Sequence, residues 1–242
     1  MSETPPLRIQ ATAITDIGRV RRKNEDRFLR ESDLNLFGVA DGVGGLPMGA
    51  QAAQCVVDSL TSQISRCPPV QLSDWKPLIE AANDQVFNLG QLISPNHGIA
   101  STFTGGLIHG DELWLAHVGD SRCHLFNSAV TNCLTEDHSA ENEAKNNPKI
   151  PMPEERHRLS LVRVMGQPDR ARPDLTTHAL APGDQLLFAT DGITGVLSIE
   201  ELKEHVQQSC APAERLAQIV ALTNSRGGPD NATAVLVEIL PA

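Results

Sequence analysis

Five carboxylates in this chain share a setting that could do chemistry. Asp41 closes the apolar run of residues 36–40 and is followed at once by Gly42, Gly44 and Gly45. Asp191 repeats the arrangement in FATDG, residues 188–192. Asp120 ends the segment HVGD. Asp230 stands in GGPDN, just before the final apolar run, and Asp26 closes the triplet NED, residues 24–26. A carboxylate at a strand end can be held rigidly while its oxygens face a crevice. A glycine beside it lets the backbone approach a ligand and can leave a carbonyl free as an oxygen donor. Hard divalent cations such as Mg2+ and Mn2+ take such ligands. Carboxylates converging on one spot repel one another unless a cation joins them. Two metals about 3.5–4 Å apart can share a bridging carboxylate and activate a water between them. Each motif alone has a plainer explanation. A single Asp-Gly is ordinarily a turn, Asp120-Ser121 fits an Asx turn, and GGPDN is a good connector. Spacing does not by itself bring the five together.

The elements that must position them are legible in the hydrophobic pattern. Residues 9–15 alternate weakly and predict a strand, and residues 35–40 predict a better one. From Met48 to Ile64, Ala52, Ala53, Val56, Val57, Leu60 and Ile64 fall at helical spacing. A second helix starts from Ser73 or Asp74 as cap and buries Leu78, Ile79, Ala82, Val86, Phe87 and Leu89. STFTGGLIHG and ELWLAHVGD read as two strands joined by the turn His109-Gly110-Asp111, and SRCHLF and AVTNCL as two more. Residues 136–158 are polar and broken by prolines, a surface excursion with one short helix at its start. Residues 185–190 form a strand, helices follow near 199–208 and 212–223, and NATAVLVEI closes the chain as a strand. Paired strands and grouped helices predict an α+β protein with antiparallel sheets.

Composition narrows the function classes. The 242 residues fit one large domain or two small ones. A net charge of -10 disfavours a nucleic-acid surface, which needs clustered Lys and Arg. Six Phe, two Trp and no Tyr leave little material for base stacking, so a two-metal nuclease is disfavoured too. No apolar run is long enough to span a bilayer, and the N-terminus lacks the order of a signal peptide. A cytoplasmic protein without a membrane partner is expected. The five cysteines, Cys55, Cys67, Cys123, Cys133 and Cys210, contain no CxxC pair and read as free thiols.

The segments GRVRRKNEDRF, VADGVGG, the pair Gly105-Gly106, HVGDSR, LFATDG and GGPDNATAVLV occur in this order from about Ile14 to Ile239. As an ordered set they resemble the metal-dependent PPM/PP2C serine/threonine phosphatases in their compact bacterial form. The resemblance implies a four-layer α-β-β-α sandwich of two antiparallel sheets flanked by helices, residues 1–242 forming one catalytic domain with a variable flap near 138–158. It implies hydrolysis of phosphoserine and phosphothreonine by a metal-activated water, with no covalent phosphoenzyme. Asp41 then bridges two core ions, Mn2+ or Mg2+, and the Gly42 carbonyl helps to hold one of them. Asp191, Asp230 and Asp26 are further ligands, and Glu25 acts through water. Asp120 shares a weaker third ion with Asp191. Arg21 holds the substrate phosphate, and its planar fork suits two phosphate oxygens; otherwise a basic run such as Arg19–Arg27 is ordinarily a solvated face. Asn231 and Thr233 support the last loop. Partners are phosphorylated proteins and a separate opposing serine/threonine kinase, and the protein is expected to be a monomer. A catalytically weak, phosphoprotein-binding regulatory domain is the alternative, opposed by the presence of Asp41, Asp191, Asp230 and Arg21.

Departures from the usual pattern are local. Val43 and Leu46 replace residues that are often methionine or histidine in such proteins, and neither is expected to bind the core ions. The stretch after the excursion reads VRVMG, residues 162–166, and the excursion itself is divergent. It is either a tolerant surface loop or a specificity lid. His117 is expected to be a packed strand residue, and His138 a loop anchor.

Overall fold

The computed structural model describes residues 7–46 and 48–242. Its strands are β1 (Arg8–Asp16), β2 (Arg27–Glu31), β3 (Leu36–Ala40), β4 (Phe103–His109), β5 (Glu112–Val118), β6 (Arg122–Phe126), β7 (Thr131–Cys133), β8 (Asp174–Ala179), β9 (Gln185–Ala189) and β10 (Ala232–Leu240). Its helices are α1 (Gly49–Arg66), α2 (Trp75–Ile93), α3 (Ala140–Asn146), α4 (Asp191–Thr194), α5 (Ile199–Val206) and α6 (Pro212–Ser225). Two five-stranded sheets form, in the orders β1-β10-β9-β6-β7 and β2-β3-β4-β5-β8. Every pairing is antiparallel.

Period-two alternation stacks these sheets. In β3, Leu36 and Ala40 pack with α1 and α2 residues such as Ala53, Leu60 and Ile79, while Phe37 and Val39 face the other sheet. In β9, Leu186 and Phe188 meet Phe37 and Val39, and Leu187 and Ala189 turn outward to Leu202, Leu216 and Ile219 of α5 and α6. Each central strand therefore covers apolar layers on both faces. The result is the expected α-β-β-α sandwich, with one apolar layer between the sheets and one beneath each helical layer.

The hydrophobic pattern of the sequence does not announce β2, β8 or α4. β2 lies in a basic, turn-rich stretch and has only Leu29 fully buried. β8 is an edge strand with a mostly exposed, half-buried pattern, so it lacks a hydrophobic signal. Asp74 does precede α2, but its carboxylate serves a capping box with Gln71 rather than the helix itself. Phe87 is half-buried rather than buried.

Candidate metal centre

Both Asp-Gly pairs sit where a strand end meets foreign backbone. Asp41 follows β3. Its N–H donates to Thr102 Oγ1 at 3.0 Å, and its carbonyl accepts from the Thr102 N–H at 2.7 Å and from Ser101 Oγ at 2.9 Å. A Cβ at Gly42 would collide with the Gly49 carbonyl at the start of α1. Asp191 follows β9, and a Cβ at Gly192 would collide with the Asn231 carbonyl oxygen. The glycines are therefore required by close packing of the chain around the carboxylates. Thr102 Oγ1 also contacts Ser121 Oγ at 2.9 Å, tying the Asp41 corner to the residue after Asp120.

One side chain locks the first and last motifs together. Asn231 Nδ2 donates to the carbonyls of Ile17 and Lys23, each at 2.9 Å, and its Oδ1 accepts from the Glu25 N–H at 2.8 Å. Thr233 Oγ1 meets Thr15 Oγ1 at 2.7 Å, and Asn24 Nδ2 donates to that same Thr15 hydroxyl. Thr190, just before Asp191, donates from Oγ1 to Asp26 Oδ2 at 2.9 Å. These bonds hold the loop carrying Arg21, Glu25 and Asp26 against the loop carrying Asp230.

The outcome is a pocket of about 180 Å³ at the edge where the two sheets meet. Glu25, Asp41, Gly42, Asp120, Asp191 and Asp230 line it, together with Arg21. Asp26 is buried beside this lining and is not part of it. Burial, followed by the charges of Asp26, Asp191 and Asp120, pushes Asp41 well above the carboxylate range. Burial raises Asp26 to about 6, against hydrogen bonds from Thr233 and Thr190. Burial and Asp191 raise Asp120 to about 7, and burial and Asp230 raise Asp191. Desolvation and like charge thus act together to make a cation welcome.

The residues fit a divalent metal centre. Asp26 Oδ1 and Asp191 Oδ1 are buried without hydrogen-bond partners, leaving lone pairs for a ligand to satisfy. The donors are all oxygens, which suits Mg2+ or Mn2+. Among the described residues, no three His, Cys, Asp or Glu side chains form a finished metal cage. The fit rests instead on the shared pocket, the orphaned oxygens and the mutual repulsion.

Arg21 reaches the pocket, and there its Nη2 donates to Asp230 Oδ2 at 2.6 Å. His117 is buried in β5 and faces no pocket carboxylate. Its Nε2 donates to the Glu136 carbonyl, so Nδ1 is the acceptor facing Thr104 Oγ1. His138 anchors the start of the excursion. Its N–H donates to the Gly119 carbonyl, its Nδ1 accepts the Gly119 N–H, and its Nε2 faces Asp174. The excursion opens with α3 and returns to place Leu159 and Leu161 on the pocket wall. Sequence reasoning did not single out Thr102, Ser121 or Thr190. Their only signal was a hydroxyl residue within one position of a candidate carboxylate or at a strand entry.

A family model described as protein phosphatase 2C matches residues 19–241. Protein phosphatase PhpP of Streptococcus pneumoniae is 30% identical over 243 residues, covering 96% of this chain and 98% of that protein. The solved serine/threonine phosphatase of S. agalactiae superposes with a TM-score of 0.84 at 30% identity, covering 96% of this chain and all of that one. The catalytic domain of the serine/threonine phosphatase PstP, solved with two manganese ions, gives a TM-score of 0.82 at 28% identity, covering 97% and 99%.

Proposed function

The chain belongs to the protein phosphatase 2C family, and from that premise we propose that the carboxylate pocket at the sheet edge is its catalytic centre. The protein is a metal-dependent hydrolase of phosphoserine and phosphothreonine in proteins. The observation that supports the placement is the convergence of Asp41, Asp120, Asp191, Asp230 and Glu25 on one pocket with Arg21.

In this reading Asp41 would serve both core cations, the Gly42 carbonyl, Asp191, Asp230 and Asp26 would supply their other protein ligands, and Glu25 would act through water. Asp120 and Asp191 would hold a weaker third ion. Mn2+ or Mg2+, when bound, supplies positive charge for the phosphoryl oxygens and lowers the pKa of a coordinated water. The chain's own residues orient the substrate. Arg21 offers a planar pair of donors to the phosphate from the pocket mouth. Thr102 supplies the one hydroxyl in the lining, and it is already engaged with the Asp41 N–H and Ser121. Direct hydrolysis by a metal-activated water, without a phosphoenzyme, is the reaction proposed here.

Residues 1–242 act as one catalytic domain, with residues 138–158 as a flap over the pocket. Its partners are phosphorylated proteins and a separate opposing kinase, and it works as a cytoplasmic monomer. The deciding experiment is hydrolysis of a phosphothreonine peptide with Mn2+, with Mg2+ and after chelation. Activity is expected with either ion and none after chelation. Full turnover in rigorously metal-free buffer would refute the centre.

A further inference from the structure

Four of the five residues from Arg19 to Lys23 are cationic, in a chain whose net charge is -10. All five are exposed. Arg21 alone lines the pocket and pairs with Asp230. None of the ion pairs among the described residues uses Arg19, Arg22 or Lys23. The backbone beneath these cations is fixed. Arg19 N–H donates to the Gly228 carbonyl at 2.8 Å, and Asn231 holds the Lys23 carbonyl at 2.9 Å. A rigid loop thus presents adjacent, unneutralised cations at the mouth of a phosphate-directed pocket. Like charges so close repel one another; Arg19 acts on nearby Asp16, while Arg22 and Lys23 form no ion pair among the described residues.

We propose that the loop 19–23 is a docking rim that selects phosphoprotein segments with acidic residues beside the phosphorylated one. The inference rests on the phosphatase reading of the pocket and adds its substrate class. Arg21 is committed to the phosphate site. Arg22 and Lys23 follow it at about 3.8 Å per residue along the chain, within the span of a few residues of an extended peptide held at the phosphate site. That range lies within the screening length of about 8 Å at physiological salt. Leu161 and Leu159, the latter 79% exposed, add apolar surface to the same pocket from just after the flap. A carboxylate-rich segment gains attraction at the loop, and a lysine-rich one meets repulsion.

The test uses the full chain with Mn2+ and three phosphothreonine peptides of equal length, flanked by Glu, Gln or Lys, with p-nitrophenyl phosphate as the small substrate. The expected kcat/KM order is Glu, then Gln, then Lys. The Glu-to-Lys ratio should be about tenfold or more at low salt and shrink as salt rises. The double substitution Arg22→Glu and Lys23→Glu should reverse the order, and p-nitrophenyl phosphate, which has a phosphate but no charged flank, should lose clearly less than the Glu-flanked peptide does. If that variant misfolds, Arg22→Gln with Lys23→Gln should flatten the order instead. A parental ratio near one, a ratio untouched by either variant, or an equal loss on the small substrate would overturn the inference. Failure of all four substrates in the metal-loaded parent would instead strike the catalytic reading beneath it.

Discussion

Asn231→Ala should separate the two halves of the centre without touching a proposed ligand. The side chain is 4% exposed and makes three hydrogen bonds, to Ile17, Lys23 and Glu25. Ile17 and Lys23 are exposed, so water can replace the amide at their carbonyls. Each of those losses should cost about 1 kcal/mol. The Glu25 N–H is half-buried and would be left without its acceptor, adding about 1–2 kcal/mol. The expected destabilisation is about 3 kcal/mol, a large share of a typical domain's stability. The consequence for the site follows from what those bonds hold. They fix the loop of Arg21, Glu25 and Asp26 against Asp230, so a looser loop lowers the fraction of molecules poised to bind metal. Apparent affinity falls by that same fraction. Asn231→Asp is the informative partner. It keeps the acceptor for Glu25 but sets a carboxylate oxygen against the carbonyls of Ile17 and Lys23, so it should be no more stable than Asn231→Ala. Urea unfolding in chelator measures the first quantity and calorimetric titration with Mn2+ the second. Asn231→Ala within about 0.5 kcal/mol of the parent, with metal affinity unchanged, would refute the locking role.

Asp41→Asn should abolish nearly all phosphatase activity, because the proposed centre gives the Asp41 carboxylate to both core cations; Asp120→Asn should spare the proposed tight pair in calorimetry. Arg21→Ala should weaken turnover of phosphopeptides and aryl phosphates alike, by about 1.5–3 kcal/mol for a charge-assisted contact, and Arg21→Lys should recover part of it. Shortening the exposed residues 147–154 should change the ranking of phosphopeptides while leaving aryl phosphate kcat/KM intact; equal losses on both would remove the specificity role. His124 is buried with both ring nitrogens unpartnered, and burial lowers it to about 4. The unfolded chain therefore binds the extra proton between about pH 6.5 and 4, and stability from this group is lost as pH falls through that window. From pH 7 to pH 5 the cost is about 2 kcal/mol, and His124→Leu should remove it. The parent-minus-variant difference in urea unfolding is the readout, because the acidic cluster titrates with the opposite slope in both proteins. A difference that does not change with pH would contradict it.

The fold was legible where burial enforces a period. β3, β9 and β10 sit between two apolar layers, so their residues announce both faces, and α1 shows its inner face through Ala52, Val56, Leu60 and Ile64. β8 was silent because an edge strand with one half-covered face needs no apolar alternation. β2 was silent because its neighbours in sequence are cations serving a surface, and those outweigh the one buried leucine. The layering itself could not be read from periods. Alternation says that a strand has two faces, not which sheet covers each of them.

The site shows a sharper version of the same limit. Asp41, Asp120, Asp191 and Asp230 are visible as carboxylates at strand ends, and local pattern stops there. Their convergence depends on β3 and β5 in one sheet ending at the edge where, in the other sheet, β9 ends and β10 begins. No local rule encodes that edge, and only the ordered set of motifs pointed to it. The glycines illustrate why. Gly42 and Gly192 looked like turn residues, yet what excludes a side chain at each is backbone far away in sequence or across a corner, Asn231 for one and Gly49 for the other. Asn231 is the extreme case. By local pattern it is a connector residue beside an aspartate, and only the family resemblance marked it as supporting the last loop, while in the structure it reaches the carbonyls of Ile17 and Lys23 from more than 200 positions away. A residue whose partners are backbone atoms leaves no complementary side chain to find, so its role could be read from the ordered motifs but its contacts could not.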